Sequence, residues 1–281
     1  MNDTSYRGAV EVLTDPFIFR WTVNEAGYEW LEGKDGKPRL FPRHTPGVGI
    51  RQYTPDPGLF REFAVLNPTR DAIQNFAGAY GDLFDRWDIT HTLVRRGRFV
   101  GGTSLDRWKV KIGDMRDLVA IWDQIQGLHL AELSKIIVRM EKEICYVRDG
   151  TNVTLARGEL SRFDPRDVLL PARCALQWEI NRRLADTDTP TLTVPRLSLT
   201  PDNHQRIVFQ PCNLLAAMWM EFARVTTGES RLQLCAGGCG KYFQVGRGAQ
   251  RAHTKTCSPR CRQALCRRLQ KGAKEEAKSL R

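Results

Sequence analysis

At 281 residues the chain exceeds the usual size of one hydrophobic core, and 41% hydrophobic with 27% charged residues is a globular composition that excludes wholesale disorder. The first residues are polar with no apolar h-region behind them, and the longest apolar stretch, 214–220, is far short of the roughly 20 residues that cross a bilayer. The expectation is a soluble, cytoplasmic protein without a secretory signal or membrane partner. The formal net charge is +11 and sits entirely at one end: residues 231–281 hold 13 Lys or Arg against two acids, while the first 230 residues hold 30 of each sign. So localised an excess points to a polyanion partner for that segment, because each cation near a phosphate releases condensed counterions. A membrane surface would favour large apolar residues along one helix face, and the tail offers few.

In chain order, residues 10–23 and 38–53 mix β-branched and aromatic residues with Pro and Gly, which predicts short strands and loops. Helical periodicity follows. Ile73, Phe76, Ala77 and Tyr80 mark one helix, Met115, Leu118, Val119, Trp122 and Ile125 a second, and Leu130, Leu133, Ile137, Met140 and Ile144 a third. Asp149-Gly150, flanked by Tyr146-Val147 and Val153-Thr154-Leu155, predicts a β-hairpin, and 167–184 a helix perturbed by Pro171. After a Thr- and Pro-bearing stretch over 186–201, residues 206–209 suit a strand, and 214–225, apolar on nearly every side, a buried helix. The expected fold class is α+β. A mostly helical domain with short strands over 1–230, for sensing, dimerisation or scaffolding, is followed by a small finger over 231–281.

Catalytic signals are sparse in the first 230 residues. Asp82, Asp85, Asp88 and His91 recur every third residue and could face a cation, but Gly81 and Arg86 suit an ordinary solvated helix end. His44, His129 and His204 form no metal or triad motif, so no enzyme activity is expected.

Four of the eight cysteines form two evenly spaced pairs, Cys235 with Cys239 and Cys257 with Cys261, each with three residues between. Without a secretory signal, such pairs more often hold metal than disulfides, and zinc accepts four thiolates in structural tetrahedral sites. One structural Zn2+ ion is therefore expected. Gly240 directly after Cys239 suits a tight knuckle, and Tyr242-Phe243 a strand with a miniature core. The stretch 245–249 reads as a turn, predicting a hairpin between the ligand pairs. Ser258-Pro259 is an N-cap followed by proline at the first helical position, which puts Cys261 in a first turn where the helix dipole favours a thiolate. Knuckle, hairpin and ligand-bearing helix describe a treble-clef-like finger. His253 and Cys266 read as bystanders, and Cys145, Cys174 and Cys212 as small core residues.

From Cys235 to about Arg268 the chain resembles the CGNR type of bacterial zinc finger, found at the C-termini of transcription regulators. It departs from that family's signature, because Arg262-Gln263-Ala264 follows Cys261 in place of Gly-Asn-Arg. Residues 57–83 and 105–122 are similar to the helical regions that precede such fingers in bacterial proteins. The resemblance implies DNA binding and transcription regulation.

The residues give the same direction independently. Cys261, Leu265 and Leu269 form an apolar stripe, and cations occupy the rest of the last helix. Candidate nucleic-acid contacts are Arg247, Arg251 and Lys255 before the helix and Arg260, Arg262, Arg267, Arg268 and Lys271 on it. Phosphate contact needs no sequence readout, so the charge points to a nucleic acid, and the resemblance implies that it is double-stranded DNA. Homodimerisation is allowed. The alternative is a non-catalytic zinc-containing module that binds protein or RNA. Nucleases on a related metal framework need catalytic His with Asn or Asp, and the tail has only His253.

Overall fold

The computed structural model describes residues 21–33, 35–43, 49–84, 93–95, 98–100, 102–139, 143–148, 151–157, 164, 167–185, 193–199, 205–211, 213–228, 231–245 and 254–279. Strands β1 (Trp21–Asn24), β2 (Tyr28–Glu32), β3 (Pro38–Pro42) and β4 (Ile50–Tyr53) come first, followed by helices α1 (Leu59–Ala64) and α2 (Arg70–Tyr80). Short strands β5 (Leu93–Arg95), β6 (Arg98–Val100) and β7 (Thr103–Ser104) lead into the long helix α3 (Leu105–Gln126). Then come α4 (Leu130–Ile136), β8 (Ile137–Arg139), β9 (Glu143–Arg148), β10 (Thr151–Arg157) and α5 (Leu169–Leu184). A hairpin of β11 (Thr193–Leu199) and β12 (Gln205–Pro211) precedes α6 (Leu214–Thr226), and the tail holds β13 (Arg231–Leu234), β14 (Tyr242–Val245) and α7 (Pro259–Ser279). All strand pairings among the described residues are antiparallel, in small sheets such as β2-β3-β7 and β8-β9-β10. The class is α+β, and no helix among the described residues is long and apolar enough to cross a membrane.

Local sequence explains the helix starts. Thr69, Ser104 and Asn213 each accept the backbone N–H three residues on, satisfying a donor that α2, α3 and α6 would otherwise leave unpaired. The apolar stripes then meet in one core. Phe60 lies against Phe222 with ring centroids 5.1 Å apart, and Phe76 meets Trp108 edge-on at 6.2 Å, which joins α1 to α6 and α2 to α3. A buried ionic group ties the far side: Arg183 on α5 pairs with Asp114 on α3 at 2.8 Å, and the Tyr146 hydroxyl on β9 donates to Glu179 at 2.9 Å.

Three expectations are corrected, and a strand is found in a stretch that carried no expected element. The third helical stripe ends at Ile136, and Ile137 onward is strand, because β-branched Ile137 and Val138 pair with Tyr146 and Cys145 of β9. Pro171 does not perturb α5. It is the third helical residue, where no intrahelical N–H bond is required, and Asp167 accepts the N–H groups of Leu169 at 2.8 Å and Leu170 at 3.2 Å in front of it. The Thr- and Pro-bearing stretch contains β11, and Pro195 is accommodated there because β11 has one partner strand among the described residues. Gly81 ends α2, so Asp82 is buried outside any helix and accepts the Thr103 hydroxyl at 2.6 Å; Asp85, Asp88 and His91 lie outside the described residues.

Candidate metal centre

β13 pairs with β14 so that Leu234 faces Tyr242, and residues 235–241 between them turn back on themselves with Cys235 and Cys239 in the turn. The Cys235 N–H donates to the Lys241 carbonyl at 2.9 Å, which closes the knuckle, and Gly240 has φ +74° as the turn requires. Cys257 and Cys261 arrive from the start of α7. Ser258 caps it, with Oγ accepting the Cys261 N–H at 3.3 Å and its carbonyl accepting the Arg262 N–H at 3.0 Å. The hairpin therefore straddles the first cysteine pair, with its first strand preceding Cys235. The expected turn over 245–249 lies outside the described residues but for Val245, the last residue of β14.

The four sulfur atoms converge within 4.8 Å of one another. Cys257 Sγ is 3.5 Å from Cys239 Sγ and 3.6 Å from Cys261 Sγ. Thiolates about 2.3 Å from a tetrahedral ion stand about 3.8 Å apart, so this donor set has the size and softness for one metal ion. Burial pushes the Cys235 thiol up, but the N–H groups of Cys257 and Gly237 and the neighbouring thiols outweigh it and bring it down to about 7. Burial and the surrounding thiols push Cys257 up to about 12. Thiols this close cannot all ionise without a cation between them.

The knuckle and helix are held together by packing and by one arginine. Phe243 and Val245 are buried with Cys235 in a small core that Cys257 and Cys261 complete. A Cβ on Gly237 would come within 2.5 Å of the Cys261 Cβ, so glycine permits the approach of knuckle to helix. Arg268 reaches back from α7 to donate to the Ala236 carbonyl at 3.0 Å, with its guanidinium against Gly238.

The predicted nucleic-acid contacts divide accordingly. Arg260, Arg262, Arg267, Arg268 and Lys271 are exposed on α7, and Lys255 is exposed just before it. Arg268 serves the knuckle. Arg247 and Arg251 lie outside the described residues, as does His253. Cys266 is exposed on α7 and stands outside the cluster, Cys145 is buried and Cys174 packs on the main core, while Cys212 is not among the described residues.

Sequence reasoning missed how the finger rests on the body. Lys241 pairs with Asp56 at 2.9 Å, the Tyr242 side chain lies over Gly58, and the Arg61 guanidinium stands 5.3 Å from the Tyr242 ring centroid. Beneath that contact the Glu221 carboxylate on α6 accepts the Gly58 N–H at the head of α1. Burial pushes the Glu221 carboxyl up to about 7 against the pull of the Gly58 and Phe60 N–H groups and Arg224. No periodicity or motif announces these pairs, because each joins positions far apart in the chain. Comparison with protein families, with curated proteins and with solved structures finds no match.

Proposed function

We propose that this protein binds nucleic acid, double-stranded DNA first, through a treble-clef-like finger of the CGNR kind built on one structural Zn2+ ion, and acts as a bacterial transcription regulator. The observation that carries the reading is the joining of the four-thiol cluster to a helix on which Arg260, Arg262, Arg267, Arg268 and Lys271 are exposed. Cys235, Cys239, Cys257 and Cys261 would hold the ion, and its role would be to fix the start of α7 against the knuckle.

Helical rotation sorts the cations further. At about 100° per residue, Arg260, Arg267 and Lys271 fall on one line along α7, with Arg262 on another side, and backbone positions 274 and 278, both lysines, continue the first line. A line of that kind suits a phosphate backbone or the edge of a groove. The body over 1–230 then supplies sensing, dimerisation or scaffolding.

The test compares Arg267→Ala and Lys271→Ala with Arg268→Ala on a random-sequence DNA duplex. The first two should each weaken binding severalfold without loss of zinc. If duplex and single-stranded RNA are both ignored at low salt by the zinc-loaded protein, the reading fails. Preference for RNA over the duplex would move it to the RNA-binding alternative.

A further inference from the structure

A cleft of about 920 Å3 opens where the body meets the strand that enters the finger, between α3, α5, the end of α6 and β13. Its size lies within the range of small-molecule sites. Its walls have two characters. Trp122, Leu176, Ile180 and Leu232 offer apolar surface, and of these Trp122 and Leu232 are only partly buried. Gln126, Gln177 and Asn181 add exposed amides at the side.

The charge on the lining is positive. Arg61 is already committed to Asp123, at 2.7 Å. Arg173 on α5 and Arg231 on β13 face the same cleft, are exposed, and form no ion pair among the described residues. Asp123 is the only acid on the lining among those residues. Two guanidinium groups without an ion pair among the described residues, on the same lining as Trp122 and Leu232, match a molecule that carries a carboxylate on a flat apolar body, because guanidinium binds carboxylate in a planar fork while Trp122 and its neighbours gain by excluding water from a ring. A bare phosphate would leave the apolar wall unused.

We infer that this cleft is a binding site for a small aromatic carboxylate, held by Arg173 and Arg231 and seated on Trp122, Leu176 and Leu232. Arg231 and Leu232 belong to β13, three to four residues before Cys235, so an occupant touches the strand that leads directly into the cysteine cluster. The inference is independent of nucleic-acid binding and is tested without it.

The experiment is calorimetric titration of the full-length, zinc-loaded protein with 1-naphthoate, its neutral analogue 1-naphthamide, and inorganic phosphate. The expected result is one naphthoate site per chain, with the amide binding at least about tenfold more weakly and Arg173→Ala and Arg231→Ala each weakening naphthoate about fivefold or more. Lys109→Ala, on an exposed part of α3 outside the cleft, should leave the titration unchanged. Naphthoate failing to bind below about 1 mM overturns the inference, and so does equal affinity for the amide. Naphthoate binding that is insensitive to both arginine substitutions, or matched by phosphate, overturns it as well.

Discussion

Arg267 and Arg268 are both exposed on α7 but turned about 100° apart, and that rotation brings Arg268 to the Ala236 carbonyl, which it bonds at 3.0 Å. Arg268→Ala should therefore lower the thermal stability of the finger by about 0.5–1 kcal/mol, whereas Arg267→Ala should leave stability unchanged and weaken nucleic-acid binding; differential scanning calorimetry beside a binding titration separates the two. Cys235→Ser or Cys257→Ser should abolish stoichiometric zinc, read by metal analysis of the purified protein, since each removes one of four converging donors. Glu221 gives a pH signature. Its carboxyl, pushed up to about 7, binds a proton more tightly in the fold than in the unfolded chain, so its contribution is complete below about 4.5 and is lost as pH rises through 7. Because the side chain is partly exposed, the loss should be on the order of 1–2 kcal/mol by pH 8, and Glu221→Gln should flatten that fall in denaturant titrations.

At the scale of elements, the buried group of Arg183, Asp114 and Glu179 should matter most for stability. Arg183→Ala leaves two carboxylates buried side by side and should cost about 3–5 kcal/mol in urea unfolding, far more than any exposed pair such as Lys241 with Asp56. The same elements show what a single chain discloses. Helices α2 and α3 were legible because their apolar residues repeat every three to four positions, and α6 because it is apolar on nearly every side. The stripe that continued from α4 misled, since Ile137 satisfies helical spacing and strand pairing alike, and only the presence of β9 decides between them. β11 was obscured by its own Pro195. The cysteine cluster was legible in full, because its ligands are local pairs; the strand before it was not, because β13 has meaning only once β14 lies beside it. The contacts of Tyr242 with Gly58 and Arg61 were invisible for the same reason at longer range.

Over the whole molecule, a charge-balanced body carries a tail that holds the entire +11 excess, and the finger is seated on that body by Asp56, Gly58 and Arg61. On the proposed function, an ion held by the four thiols would set the start of α7 against the knuckle, and α7 would present its cations from that frame. The most direct test is the salt dependence of duplex DNA binding by the zinc-loaded protein, repeated for the variant Arg260→Ala, Arg267→Ala, Lys271→Ala. The account predicts a log-log slope of about −3 to −5, reduced in magnitude by about 2.7 in the triple variant, from about 0.9 per phosphate contact. A slope near zero, or one that the triple variant leaves unchanged, would contradict it.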